Sequence, residues 1–277
     1  MLRNSLGDRM KNYYEEVSKT RLTRRTPVII RLDGKSFHTF TRGFKKPFDE
    51  LFMKTMQVTM KYLCENIQGC VLGYTQSDEI TLVLVDYNKL DTAAWFDYEV
   101  QKMTSISASM ATLAFNKYYA EIIANDTEDE EEFKKYASKL NMAMFDSRVF
   151  NIPKEEVANC LLWRQLDAER NSILSVAQAN YSQKEMQGIS CKELVAKLEN
   201  EKGIIWGNLP TSQKRGICCI KEITYTLDDG QVAKNNSNTS VGEKLEVKEH
   251  SKWKLDFDIP RFNENREYIE DLINVGE

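Results

Sequence analysis

Arg31-Leu32-Asp33-Gly34-Lys35-Ser36-Phe37-His38 is the stretch on which the fold turns. It follows the apolar run Thr26-Pro27-Val28-Ile29-Ile30, so residues 27–32 read as a strand that delivers a carboxylate and a glycine to a turn. A second stretch answers it: Tyr74-Thr75-Gln76-Ser77-Asp78-Glu79, running into Ile80-Thr81-Leu82-Val83-Leu84-Val85. That is a β-hairpin over roughly 70–76 and 79–86 with an acidic pair at its bend. Taken alone, Asp33-Gly34 is most often only a turn, and Asp78-Glu79 only a solvated hairpin tip. At matching strand ends, Asp33 and Asp78 are what two Mg²⁺ ions on a triphosphate require, since Mg²⁺ prefers carboxylate, carbonyl and phosphate oxygens.

Working outward, residues 8–23 predict a helix that ends at Arg24-Arg25-Thr26-Pro27. A basic loop carries Arg42, Lys45 and Lys46 to Pro47, which predicts a helix opening with proline in its first turn. Phe48, Leu51, Phe52, Thr55, Met56, Thr59, Met60 and Leu63 recur at helical spacing as a core face, and Gly69 stops that helix. After the hairpin comes a long helix over roughly 96–124, with Met103, Ile106, Met110, Leu113 and Phe115 as its apolar side. The acidic run Asp126–Glu132 is an exposed loop or a helix start. A further strand is predicted over 143–150.

The first 150 residues therefore read β-α-β-β-α-β. That order is the ferredoxin-like unit, a four-stranded antiparallel sheet with two helices on one face. Nucleotide polymerase palms and nucleotidyl cyclase cores share it, and both carry metal-binding carboxylates at the end of the first strand and at the central hairpin. The predicted class is thus α+β: a βαββαβ palm over residues 1–152 with a basic N-terminal segment, and a helical and β extension over 153–277 packed on it. In the extension, helix is expected from Pro153 to about Lys184, and Ser190 caps a shorter helix with Glu193 at the capping-box position. Strands follow at 217–226 and 245–257 around a polar, mobile loop at 228–242, and a last helix falls at 264–274.

Composition narrows the class. No apolar run approaches the ~20 residues that cross a bilayer, and the first residues lack the apolar core of a signal peptide. Six cysteines without a Cys-x-x-Cys pair, and only two histidines, argue against zinc and for reduced thiols in the cytoplasm. Net charge is −4, yet residues 1–46 hold twelve Lys and Arg against four Asp and Glu, which suits a phosphate-bearing partner. In the site, the Gly34 carbonyl is a further metal ligand, and Glu79 supports the second metal or holds Asp78 in place. Amides of Lys35, Ser36, Phe37 and His38 are expected to face phosphates, with Lys46 and Lys45 as point charges. Phe37 and His38 offer rings to a base. Arg148 and Arg164 are phosphate ligands or else partners of acids within the fold.

These motifs, in order, resemble the tRNA(His) guanylyltransferase superfamily of 3′–5′ nucleotide polymerases. Arg31-Leu32-Asp33-Gly34 through Phe37-His38, Lys46-Pro47, Gly73-Tyr74-x-Gln76-Ser77-Asp78-Glu79, Phe145-Asp146-x-Arg148-Val149 and Trp163-Arg164-Gln165-x-Asp167 carry the likeness over roughly residues 5–220. The resemblance implies two Mg²⁺ ions on Asp33, the Gly34 carbonyl and Asp78, and nucleotide contacts from Lys35, Ser36, Phe37, His38, Lys46 and Ser77. RNA or a second nucleotide would fall to Arg31, Arg148, Arg164 and Asn171. It implies ATP or GTP activating the 5′-monophosphate of a tRNA, attack by the 3′-hydroxyl of an incoming nucleotide, and a homotetramer. Where eukaryotic members carry His-x-Asn-Asn, this chain has Glu169-Arg170-Asn171-Ser172, and Thr75 replaces a glycine. The departure resembles bacterial and archaeal members, which favour template-dependent repair of truncated tRNA 5′ ends. Strict G−1 addition to tRNA(His), and a cyclase-like transferase on the same palm, are the alternatives.

Overall fold

A computed structural model describes residues 5–227 and 247–276. Its spine is strand β1 (Val28–Gly34), and β2 (Cys70–Gln76), β3 (Glu79–Leu84), β4 (Phe145–Asn151), β5 (Ile217–Leu227) and β6 (Val247–Asp256) complete one antiparallel sheet. The strand order is β4-β1-β3-β2-β5-β6. The helices are α1 (Ser5–Met10), α2 (Phe37–Phe40), α3 (Glu50–Asn66), α4 (Val100–Asp126), α5 (Glu130–Ala137), α6 (Val157–Asn180), α7 (Gln183–Met186), α8 (Cys191–Lys202), α9 (Thr211–Arg215) and α10 (Glu267–Ile273).

β1 is a continuous apolar run because both of its faces are covered. Val28, Ile30 and Leu32 point into a core built with α3 and α4, whereas Ile29 joins a second core with Val157, Ala158 and Leu161 of α6 and Ile269 and Ile273 of α10. The expected βαββαβ unit is present, with α3 and α4 on one face. β5 pairs with β2, so the C-terminal strands extend the palm sheet, and the predicted 228–242 loop lies outside the described residues. Among the described residues no helix is long and apolar enough to cross a membrane.

Local physics moved several boundaries. The helix expected over 8–23 is α1, then a π turn at Lys11–Glu15 and a 3₁₀ turn ending at Ser18, with no buried residue. Backbone bonds from Leu22 N to Tyr98 O (3.0 Å) and from Val100 N to Thr20 O (2.9 Å) draw residues 20–22 into an extended path. Pro47 does not open α3. The buried Asp49 does, because its carboxylate accepts from both Phe52 N and Lys45 N at 2.9 Å. In α4 the buried stripe is Met103, Ser107, Ala111, Ala114, Phe115, Tyr119, Ile122 and Ile123, while Ile106 and Leu113 are exposed. Small residues let α4 lie close to the sheet, where Ser107 Oγ meets Ser147 Oγ at 2.7 Å. Met103 and Phe115 lie on it as expected, but weighting large apolar side chains puts Ile106, Met110 and Leu113 one position before the buried Ser107, Ala111 and Ala114. The acidic run is a helix start: Asp129 caps α5, accepting from Glu132 N at 2.7 Å, and glutamates fill the first turn. The Ser190–Glu193 capping box is present on α8.

Candidate active site

The end of β1 and the tip of the β2–β3 hairpin are tied by a hydrogen bond from Gly34 N to Asp78 O at 3.0 Å. Register then sets two charged rows across the sheet. Asp33 stands opposite Glu79 on β3 and Asp146 on β4, and Arg31 stands opposite Thr81 and Arg148. Directly opposed residues share a sheet face. Asp33, Asp146 and Glu79 thus form a carboxylate row, and Arg31 and Arg148 an arginine row beside it. Like charges directly opposite one another cost stability, so the pattern serves something other than the sheet.

Gly34 is dictated by its neighbour. A Cβ there would sit 2.4 Å from the Phe37 ring. That ring packs with Phe40, Phe52, Phe115 and Phe145 and is only 2% exposed. The expectation of a Phe37 ring against a base is therefore corrected: the ring is core, and its work is to hold the loop after β1. The Lys35 amide is likewise spent, donating to Met144 O at 2.8 Å. Ser36 turns the chain in the left-handed region (φ 57°), and the side chains of Lys35, Ser36 and His38 are exposed.

Burial raises the Asp78 carboxyl above the ordinary range, and the Asp33 charge raises it further. Asp33 is raised by burial and then by Asp146. Burial also raises Glu79, against the pull of Arg164. The buried Arg164 guanidinium lies 2.8 Å from Glu79 and 2.6 Å from Asp167. Arg164 is thus an internal ion-pair partner, the second of its two predicted roles, and Glu79 is the anchor of the hairpin to α6. Arg148 is exposed, with Asp146 at 3.4 Å. Among the described residues no three His, Cys, Asp or Glu side chains cluster closely enough to hold a metal. Two carboxylates raised by burial, Asp33 further by Asp146 and Asp78 further by Asp33, beside the Gly34 carbonyl, still fit Mg²⁺. This ion keeps several waters and takes its remaining oxygens from phosphate rather than from a full protein cage.

A cleft of about 300 Å³ opens beside Asp78. His38, Lys45, Lys46, Ser77 and Asp78 line one side, and Asn171, Ser172, Ser175, Gln213 and Lys214 the other. Lys45 pairs with Glu132 at 2.6 Å, whereas Lys46 has no ion-pair partner among the described residues. Burial, and then the charges of Arg215 and Arg261, lower the Lys214 ammonium, whose Nζ donates to Gly207 O at 2.5 Å. Of the wall from α6 and α9, the sequence reading names Asn171 as a site residue; it does not place Ser172, Ser175, Gln213 or Lys214 there, although Gln213-Lys214-Arg215-Gly216 stands out as a basic turn. It reaches the cleft because Tyr74 OH donates to Arg215 O at 2.7 Å and Gly216 (φ +83°) sits against Thr75 O. Asn171 lines the cleft and donates to Asp167 at 3.3 Å.

An antiparallel βαββαβ sheet with paired carboxylates at these two strand ends, opening on a basic cleft, defines a palm-type nucleotidyltransferase. The family model for tRNAHis guanylyltransferase matches residues 7–153, and the chain belongs to that family. A bacterial tRNA(His) guanylyltransferase-like protein solved in complex with ATP is 41% identical, covers 97% of this chain and 99% of its own, and superposes with a TM-score of 0.78. One in complex with GTP is 39% identical over 98% of this chain and 100% of its own, with a TM-score of 0.73. A probable tRNA(His) guanylyltransferase of Drosophila melanogaster is 25% identical over 213 residues, 70% of this chain and 67% of that protein.

Proposed function

We propose that the protein adds nucleotides in the 3′–5′ direction to the 5′ end of tRNA, as template-dependent repair of truncated ends. The observation that carries the reading is Asp78, raised by burial and by the Asp33 charge, in the wall of a cleft lined by His38, Lys46 and Lys214, with Asp33 behind it at the end of β1. Asp33, Asp78 and the Gly34 carbonyl would hold two Mg²⁺ ions, which supply Lewis-acid stabilisation of phosphate charge when bound. Lys46, Ser77 and His38 bind the triphosphate of ATP or GTP; an oxygen of the RNA 5′-monophosphate attacks its α-phosphorus, capping the end with a nucleoside monophosphate and releasing pyrophosphate. The 3′-hydroxyl of the incoming nucleotide then attacks the RNA 5′-phosphorus, losing its proton, and the capping nucleoside monophosphate leaves.

Glu169 supports the choice of repair over strict G−1 addition. It stands where the eukaryotic motif begins with histidine, and here it is a tether, 3.6 Å from Arg215 and 3.4 Å from Arg261. Its Oε1 is buried between the two guanidiniums without a hydrogen bond among the described residues, so a carboxylate paired with C-terminal arginines takes the place of the histidine. A homotetramer, as the resemblance implies, is measured by light scattering. The decisive assay is labelled-nucleotide addition to full-length and 5′-truncated tRNAs with the templating base varied. Products that track the opposing base, lost in Asp33→Ala and Asp78→Ala, are the expected result. Invariant G addition, or cyclic product from nucleotides alone, refutes it.

A further inference from the structure

The two charged rows leave one feature unexplained by the nucleotide cleft. Asp78 lines that cleft, but Asp33 does not; the charges that act on Asp33 are those of Asp146, Arg148, Arg31 and Arg164. The carboxylate pair therefore stands between two surfaces. One is the cleft. The other is the arginine row together with Trp163 of α6.

Trp163 is 53% exposed. A tryptophan normally buries most of its large ring, and its enrichment where one side is covered and the other open marks it as a contact residue. The ring is not loose. The Arg164 guanidinium lies 4.1 Å from its centroid, and Arg164 is itself buried and pinned by Glu79 and Asp167. Arg31 approaches the same ring at 5.5 Å, and the Arg31 Nε is buried without a hydrogen-bond partner among the described residues. Even with both guanidiniums against it, the indole keeps more than half its surface in solvent. Arg148, opposite Arg31 in the β1–β4 register, is exposed beside it. An aromatic face set among cations is what stacks a nucleobase and grips its phosphates. The proposed function assigns the cleft to a triphosphate, so the second surface suits the other reactant.

We propose that Trp163 is the stacking platform for the terminal base of the acceptor RNA, with Arg31 and Arg148 binding its 5′-phosphate. Trp163 is a substrate-binding residue: it touches RNA and leaves the nucleoside triphosphate alone. The proposal rests on the reading that the enzyme acts on RNA 5′ ends, and charge complementarity selects RNA over a second protein copy as the occupant.

The test compares wild type, Trp163→Ala and Trp163→Phe, all in the full-length chain. Three quantities are measured: affinity for 5′-monophosphorylated truncated tRNA, affinity for ATP, and KM against kcat for the RNA. Loss of one stacked base weakens binding roughly tenfold. Trp163→Ala should therefore raise the RNA Kd and KM about tenfold, leave ATP affinity within about twofold, and be largely rescued by Trp163→Phe. Unchanged RNA affinity in Trp163→Ala overturns the proposal. So does a change of oligomeric state in that variant, which would make the surface a contact between copies. Failure of the wild type itself to bind and extend any RNA would instead overturn the functional reading beneath it.

Discussion

Asp49 joins three elements beside the cleft, and its removal has a calculable cost. Its Oδ1 caps α3 through Phe52 N at 2.9 Å; its Oδ2 accepts from Lys45 N at 2.9 Å and from Tyr136 OH at 2.6 Å. Burial and this carboxylate together push the Tyr136 phenol well above its ordinary range. In Asp49→Ala the lost cap costs about 1 kcal/mol. The Tyr136 hydroxyl, fully buried, is left without its acceptor, at about 1–3 kcal/mol. The sum is about 2–4 kcal/mol, read as a fall in urea midpoint at constant m. Asp49→Asn keeps a capping oxygen and should lose about half as much. A cycle with Tyr136→Phe should return a coupling of about 1 kcal/mol or more. The loop that carries Lys45 and Lys46 also loses its tether, so KM for ATP should rise several-fold. An Asp49→Ala chain within about 0.5 kcal/mol of wild type, the range of an ordinary surface change, would refute the reasoning.

Further outcomes follow from the same geometry. Gly34→Ala drives a methyl into the Phe37 ring and should cost about 1–3 kcal/mol and most of the nucleotide addition, checked by thermal melts and product gels. Arg164→Leu strands the Glu79 and Asp167 carboxylates and should cost about 3–5 kcal/mol, measured by denaturant unfolding; a neutral result would remove Arg164 as the keystone of that network. Asp78→Asn should abolish addition yet raise Tm in chelator at neutral pH. The Asp78 carboxyl is raised in the folded state, so the stability it contributes is present in acid and lost as pH rises through its folded pKa. The Tm difference should vanish below about pH 4, the ordinary Asp range, and adding Mg²⁺ should stabilise wild type more than the variant.

The central sheet was legible because its signals are local. The apolar run Val28-Ile29-Ile30 and the Ser77-Asp78 bend each declare their element within a few residues, and their antiparallel order follows from the connections. The carboxylate pair was legible for the same reason. What escaped depends on packing between distant segments. Phe37 looks like a ring offered to a ligand until Phe52, Phe115 and Phe145 close around it. The stripe of α4 is misread because Ser107 and Ala111 carry no hydrophobic weight, though close approach to the sheet requires them. The start of α3 hangs on Asp49, whose cap outweighs the proline two residues earlier. The Gln213–Lys214 part of the far wall, facing the expected Asn171, depends on β5 joining β2, a pairing no local pattern announces.

That pairing has a consequence for the order in which the enzyme comes into being. The strands of the βαββαβ unit end at Asn151, but the cleft has no second wall until α9 is latched by Tyr74 OH on Arg215 O and by Gly216 against Thr75. A chain emerging N-terminus first can thus assemble its carboxylates well before it can enclose a nucleotide. Competence for substrate arrives late, through closing contacts between the middle of the sheet and a segment 141 positions downstream of Tyr74. In the finished protein the same contacts are where cleft integrity and fold integrity become one quantity, so loosening the latch should release nucleotide before it unfolds the sheet.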